Sequence, residues 1–417
     1  VTGSRLALDA DRIRQLFDLR SGVYDGMGGS FDEDPYPAFH RLRASGPVHE
    51  GTPGRLVGFE GPEGFQGLPF PELRHFTAFD FETCDAVVRD PETFSSHPPS
   101  GGMGIELYDD SLLTMDGTKH RRYRALVQPS FLPKRARWWI ENWIQATVDA
   151  LIDTFESNGR ADLNVEFCAA IPLLTICGSF GVSVEQALDI RAVVARNQGV
   201  GTFIEILMPI IAARRAAPTD DLISVLVEAE IDEDGERHVL TDAEILAFSF
   251  LLLAAGSGTT WKQMGITLVA MLTNPEWVSA VRETPETLSA VIEESTRWMP
   301  TDPAFARFTT RDVELGGLDI PKDSVVHVCF GAANRDPARW DRPDEFDPGR
   351  PPRPHLAFGN GPHVCLGMHV ARAEIGTAVS TLLARIPGLR LDPDAEPPRI
   401  IGMYERGPTA VPAVWQR

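Results

Sequence analysis

The most regular signal in the chain is a long run in which apolar side chains occupy every face. Thr241-Asp242-Ala243-Glu244 opens it as a capping box, with the threonine capping the first turn and the glutamate reaching back. The pattern continues to Thr273, where Asn274-Pro275 stops it. That is about 32 residues, or about 48 Å at 1.5 Å each. Its middle, FLLLAAGSGTT, has no polar stripe, so the predicted helix must be buried. A second helix is predicted to start at Thr284-Pro285-Glu286, with proline in the first turn where its missing N–H costs nothing, and to end near Pro300. A third runs from about Leu366 to Arg385, ahead of Pro387-Gly388. Residues 313–315 and 324–329 read as short strands. Residues 116–255 read mostly helical, 55–59 β-like, and 60–72 as an aperiodic loop. No repeat, low-complexity tract or Pro/Gly/Ser linker divides the chain. The expectation is one mainly α domain over 1–417, with 1–33 as an N-terminal extension.

Composition narrows the function. With 39 Lys+Arg against 59 Asp+Glu the formal charge is −20, which disfavours general nucleic-acid binding and unspecific docking on anionic membrane. The longest strongly apolar stretch, 245–255, falls short of the roughly 20 residues a span needs, and the first residues lack a leader-type apolar core. No membrane anchor is expected. The five cysteines form no CxxC pair, which fits a reducing cytoplasm.

One cysteine stands apart. Cys365 lies in FGNGPHVCLG, just before a predicted helix, where the helix dipole and free N–H groups favour a thiolate. Gly359, Gly361 and Gly367 would let the backbone lie flat against something large. Cys84, Cys168, Cys177 and Cys329 read as small buried hydrophobes. Glu294 and Arg297 share a helix face, as do His120 and Arg124. Residues 117–140 carry Lys119, Arg121, Arg122, Arg124, Lys134, Arg135 and Arg137 with no acid.

FGNGPHVCLG resembles the haem-thiolate signature of the cytochrome P-450 family, FxxGxxxCxG, and further motifs follow in family order. The resemblance covers nearly the whole chain. It implies a mainly helical fold with a small β lobe, and haem b buried between the long central helix and the cysteine loop. Cys365 would be the axial ligand, with Phe358 packing against its loop. His120, Arg124, Arg307 and His363 would hold the haem propionates. Glu294, Arg297 and Arg350 would form a structural ion-pair cluster. The basic 117–140 face would dock a ferredoxin-type partner. The implied activity is monooxygenation of a hydrophobic small molecule with O2, by a monomer of the soluble bacterial type.

The chain departs from the family at one point. Ala255-Gly256-Ser257-Gly258-Thr259-Thr260 matches a pattern in which an acid precedes the threonine, and here Gly258 takes the acid's place. Thr259 would still assist protonation of the peroxide. Protons could come through water threaded past the two glycines, or from a polar group on the substrate. Otherwise the protein could be a peroxide-driven peroxygenase, or bind haem without catalysis. The substrate pocket would be lined by the loop 96–113, by Leu252, Ala255 and Gly256, by Thr301, Asp302, Ala304 and Phe305, and by Met403 and Tyr404. Residues 181–214 should hold two lid helices, shorter than the family norm, and 57–77 an insertion.

Overall fold

The computed structural model describes residues 8–17, 28–63, 70–99, 111–195, 199–233 and 236–416. Its axis is the helix Asp242–Thr273, with both ends where the sequence signals put them. Glu244 N donates to Thr241 Oγ1 at 3.2 Å, and Thr241 N donates to Glu244 Oε2 at 2.7 Å. Residues 248–253 and 260–272 of this helix are buried, but 254–259 between them are not. An apolar helix whose middle alone is accessible faces an internal space at that point. By length and composition the helix could cross a membrane. Here its apolar faces are covered by the helices Ala170–Ser179, Gly201–Ala216, Thr287–Trp298 and Met368–Arg385. Together they form the largest core.

A five-stranded sheet packs with the helices Phe81–Arg89 and Phe330–Ala333 around a separate, smaller core. Its strand order is Val48–Glu50, His75–Ala78, Val325–Val328, Phe305–Thr309, Phe94–Ser95. Only the His75–Ala78 and Val325–Val328 pair is parallel. Near the end of the chain, Ile400–Ile401 pairs with Gly407–Pro408 and closes a tight turn between them.

Several local expectations need correction. Residues 55–59 are not strand. Thr52 caps a single helical turn, Pro53–Leu56, by accepting from Arg55 N, with Pro53 in the position that suits it. The second predicted helix begins at Thr287, not Thr284. Residues 284–286 instead form a tighter lead-in, in which Thr287 N bonds Thr284 O and Leu288 N bonds Pro285 O. The helical stretch 116–255 is interrupted by the strand Arg160–Asp162 and the hairpin Glu230–Glu233 with Glu236–Val239. Two helices are present in the stretch expected to hold them, as Val184–Ala195 and Gly201–Ala216. Phe203 of the second meets Phe250 of the central helix at 5.5 Å. Much of the loop 96–113, part of 57–77 and part of the N-terminal extension lie outside the described residues.

Candidate active site

Among the five cysteines only Cys365 is exposed. The other four are buried, and burial pushes the Cys177 and Cys329 thiols up to about 12. The loop carrying Cys365 is fixed by its backbone. Cys365 N donates to Phe358 O at 2.8 Å. Asn360 anchors the loop to Asp85 at 2.6 Å, and its own Oδ1 accepts from Gly361 N at 2.8 Å. Gly361 has φ +69°, and a Cβ there would lie 2.5 Å from Val88 O. This glycine is therefore needed for approach to the helix Phe81–Arg89, not to a ligand. At Gly367 a Cβ would meet nothing within 4 Å, and at Gly359 only His363 O, at 3.8 Å, so those two do border open space.

The terminal helix starts at Met368, with Gly367 at its N-cap. The Gly367 N–H favours the thiolate, as expected, and so do the charges of Arg124 and Arg372. Although the side chain is open on one side, the protein atoms packed around its other sides desolvate the sulfur and outweigh them, so the thiol lies above its ordinary value, contrary to the sequence expectation. A stable thiolate here needs a cation on its open side. Phe358 is half-buried, with the Arg372 guanidinium 4.7 Å from its ring.

Around the same space, cationic side chains converge. His120 lies on the helix Gly117–Val127 and stacks on His363 at 4.1 Å. Arg124, one turn on, donates to Val364 O at 2.7 Å. Arg307 is buried on the strand Phe305–Thr309, and burial lowers its guanidinium to about 10. Burial, with the charges of His363 and Arg124, takes His120 down to about 4, so it is neutral. Its buried Nε2 has no hydrogen-bond partner. Asp116 is the acid facing this group, 3.3 Å from His363 Nε2, and it also accepts from Ser95 Oγ and Ser96 N. An orphaned donor site among two arginines and two histidines suits carboxylates arriving from outside the chain.

On the central helix, Gly256 borders open space, and Thr259 Oγ1 donates to Ala255 O at 2.8 Å. Ala255 is exposed within the accessible stretch of this helix and Leu252 is just buried. Phe305 is half-buried, whereas Ala304 is in the core. Thr301 is buried and committed, its N–H to Gln263 and its hydroxyl to Arg406 O at 3.1 Å. Asp302 has one carboxylate oxygen buried without a partner. Its charge acts to raise the Cys365 thiol. Met403 and Tyr404 do not border the open space. They are 0% and 1% exposed, packed with Tyr36, Phe39 and Phe59. The Tyr404 hydroxyl is tied to Glu63 and to Gly54 N. Their neighbour Glu405 points instead at the central helix, which the sequence did not reveal. Nor did it reveal the buried Glu374 of the terminal helix, which burial pushes up to about 8.

The cluster predicted to be structural is assembled. Glu294 takes two 2.7 Å bonds from Arg297 and one of 3.0 Å from Arg350. It is buried, at 5% exposure. The basic stretch is only partly solvent-facing. Arg124 turns inward, Arg137 pairs with Glu141, and Arg135 lies 3.8 Å from Asp220. Beneath the cysteine loop is a cleft of about 410 Å³ lined by Arg89, Arg339, Arg353 and Arg372, with Asp85 and Glu293.

Comparison with known proteins decides the family. A model of the family described as Cytochrome P-450 matches residues 200–400. A cytochrome P-450 of Mycobacterium tuberculosis is 36% identical over 336 residues, covering 74% of this chain and 80% of the relative. The chain belongs to the cytochrome P-450 family. The mycinamicin IV hydroxylase/epoxidase of Micromonospora griseorubida is 34% identical over 326 residues, covering 74% and 81% of the two chains. The crystal structure of a myxobacterial P-450 in complex with myristic acid superposes with TM-score 0.80 at 29% identity, over 94% of this chain and 98% of that one. As a P-450 the protein is a monooxygenase, an oxidoreductase that uses haem iron, O2, a small-molecule substrate and a redox partner. The unpartnered His120 nitrogen, the converging cations and the open faces of Gly256 and Gly359 fit a flat, dianionic macrocycle.

Proposed function

We propose that the protein binds haem b through Cys365 and inserts one oxygen atom from O2 into a hydrophobic organic molecule. The supporting observation is the pairing of one accessible cysteine with a cation-lined space holding an orphaned histidine nitrogen. When bound, a thiolate-ligated haem supplies O2 activation, because the sulfur donates electron density to iron and favours O–O cleavage. The chain's part is to hold and to exclude. Arg124 and Arg307 neutralise the propionates through charge-assisted bonds, and His120 and His363 complete their hydrogen bonding. Thr259 offers a hydroxyl on the accessible stretch of the central helix, where its Oγ1 would hold or pass a proton. Ala255, Gly256, Leu252 and Phe305 give that space small or apolar walls, which favour a hydrophobic substrate.

Electrons are proposed to come from an acidic ferredoxin. It would seat on the 117–140 face beside the arginine-lined cleft under the cysteine loop, where positive charge steers an acidic partner. The protein would act as a cytoplasmic monomer of one domain. Haem-loaded protein supplied with ferredoxin and its reductase is expected to consume NAD(P)H in step with product, once a ligand screen has found a compound that shifts the haem spin state. Arg121→Glu is expected to raise the KM for ferredoxin several-fold at low salt and to lose that effect at high salt. A KM unchanged at low salt would remove this face from the docking site.

A further inference from the structure

Where the family pattern has an acid, Gly258 leaves room, and the room is taken. A Cβ at Gly258 would lie 3.3 Å from Glu405 Oε1 and 3.8 Å from Lys262 Nζ. Lys262, one turn along the same helix, has a fully buried side chain and is bonded to Glu405, itself 8% exposed. The chain is shaped for this pair. Gly402, at φ +99°, closes the turn that presents Glu405, and any Cβ there would strike Glu405 O at 2.1 Å. The Lys262 stem runs along Gly407, where a Cβ would lie 2.7 Å from its Cγ. The turn is pinned by Gly402 N to Phe31 O at 2.7 Å and by Arg406 N to Thr301 O at 2.7 Å. A third charge joins them. Asp302 has an unpartnered buried oxygen and feels both Glu405 and Lys262.

We infer that Glu405, held by Lys262 and coupled through it to the charge of Asp302, supplies from the C-terminal turn the carboxylate that position 258 lacks, and relays protons to Thr259. This rests on the monooxygenase assignment of the same cavity. In the relay a solvent proton forms an O–H bond on a carboxylate of the cluster. That bond breaks as the proton passes, through water and the Thr259 hydroxyl, toward reduced oxygen. No electron moves on these residues, because the redox partner supplies them. Two carboxylates around one ammonium hold one net negative charge, so the cluster can store a proton near neutral pH. Burial and the Glu405 charge push Asp302 up to about 8, against the pull of Lys262. The charged groups that set it are Lys262 on the central helix and Glu405 on the turn.

Two measurements on the holoenzyme test this. The first needs no turnover. Isotope-edited infrared spectra of protein labelled at its aspartate carboxyls, which leaves Glu374 silent, should show a protonated acid that titrates near pH 8. Glu405→Gln should move it to lower pH, because Lys262 then faces one carboxylate. Stability should fall as pH rises between the unfolded aspartate value of about 3.9 and the folded one, because the folded state holds a proton the unfolded state releases. Asp302→Asn should abolish that fall. An acid band that ignores Glu405→Gln overturns the cluster, whatever the enzyme does in turnover.

The second measurement is peroxide released per NAD(P)H consumed. Glu405→Gln should raise it about tenfold, with haem content and substrate Kd unchanged. Adding Gly258→Asp in that background should return it most of the way. Unchanged leakage, or leakage that follows haem loss, would leave the pair a structural tie and refute the relay. A loss confined to substrate affinity would make the cluster a substrate anchor and refute it equally. A parent enzyme that makes no product with ferredoxin would refute the monooxygenase assignment, while the infrared titration would still judge the cluster.

Discussion

Arg297→Ala is expected to cost about 3–5 kcal/mol and to leave little folded protein at growth temperature. The arginine does more than pair with Glu294. Its Nη1 donates to Asn334 O at 2.8 Å and Pro343 O at 2.9 Å, and its Nη2 to Glu345 O at 3.2 Å. Glu294 in turn accepts from Asp347 N at 2.9 Å and from Arg350. Removing the guanidinium leaves several buried carbonyls without a donor and takes two of the bonds to the buried Glu294 carboxylate, so the loop 334–350 is tied to the helix only through Asp347 N and Arg350. Lysine should not rescue it, because an ammonium cannot reproduce the planar fork that meets both Glu294 oxygens. Urea unfolding of the apoprotein reads the loss without reference to activity. The exposed Arg137–Glu141 pair makes the control, and Arg137→Ala should barely move the midpoint. A small loss at Arg297 would show that the cluster does not hold the fold.

Cys365→Ser is expected to keep the fold and abolish oxygenation. The loop's fastenings, Cys365 N to Phe358 O and Asn360 to Asp85, do not use the sulfur. Because the side chain is accessible, removing the sulfur opens no core cavity. Product formation should fall to background while thermal unfolding stays close to the parent. Cys84→Ser should do the reverse, because that thiol is buried in the β-lobe core and donates to Ala78 O at 3.3 Å. It should lower stability and leave the haem spectrum alone. Product formation by the Cys365→Ser protein would mean that another group binds the iron.

Features encoded locally were legible in the sequence. The capping box and Asn274-Pro275 fixed both ends of the central helix, and helical spacing put His120 beside Arg124 and Glu294 beside Arg297. Arg350 was placed only through the family resemblance, and the structure joins it to Glu294. What escaped was tertiary. The partner of Lys262 lies 143 residues away, and no pattern in the helix says that a distant glutamate fills the space at Gly258. The Cys365 loop pointed to a low thiol value, but burial by the rest of the fold decides otherwise. Met403 and Tyr404 were placed in the pocket with their turn. The turn does reach the central helix at Gly258, but through Glu405, while its two hydrophobic side chains turn back into the core. Residues 55–59 look β-like because Val57 and Phe59 alternate, yet Thr52 and Pro53 start a helical turn first.

The central assignment is the bond between the Cys365 sulfur and haem iron. Its most direct test is the absorption spectrum of the reduced protein under carbon monoxide. The expected result is the red-shifted band of a thiolate-ligated haem, present in the parent and absent from Cys365→Ser. A band at the position given by histidine ligation in the parent, or an unaltered one in the serine variant, would contradict it.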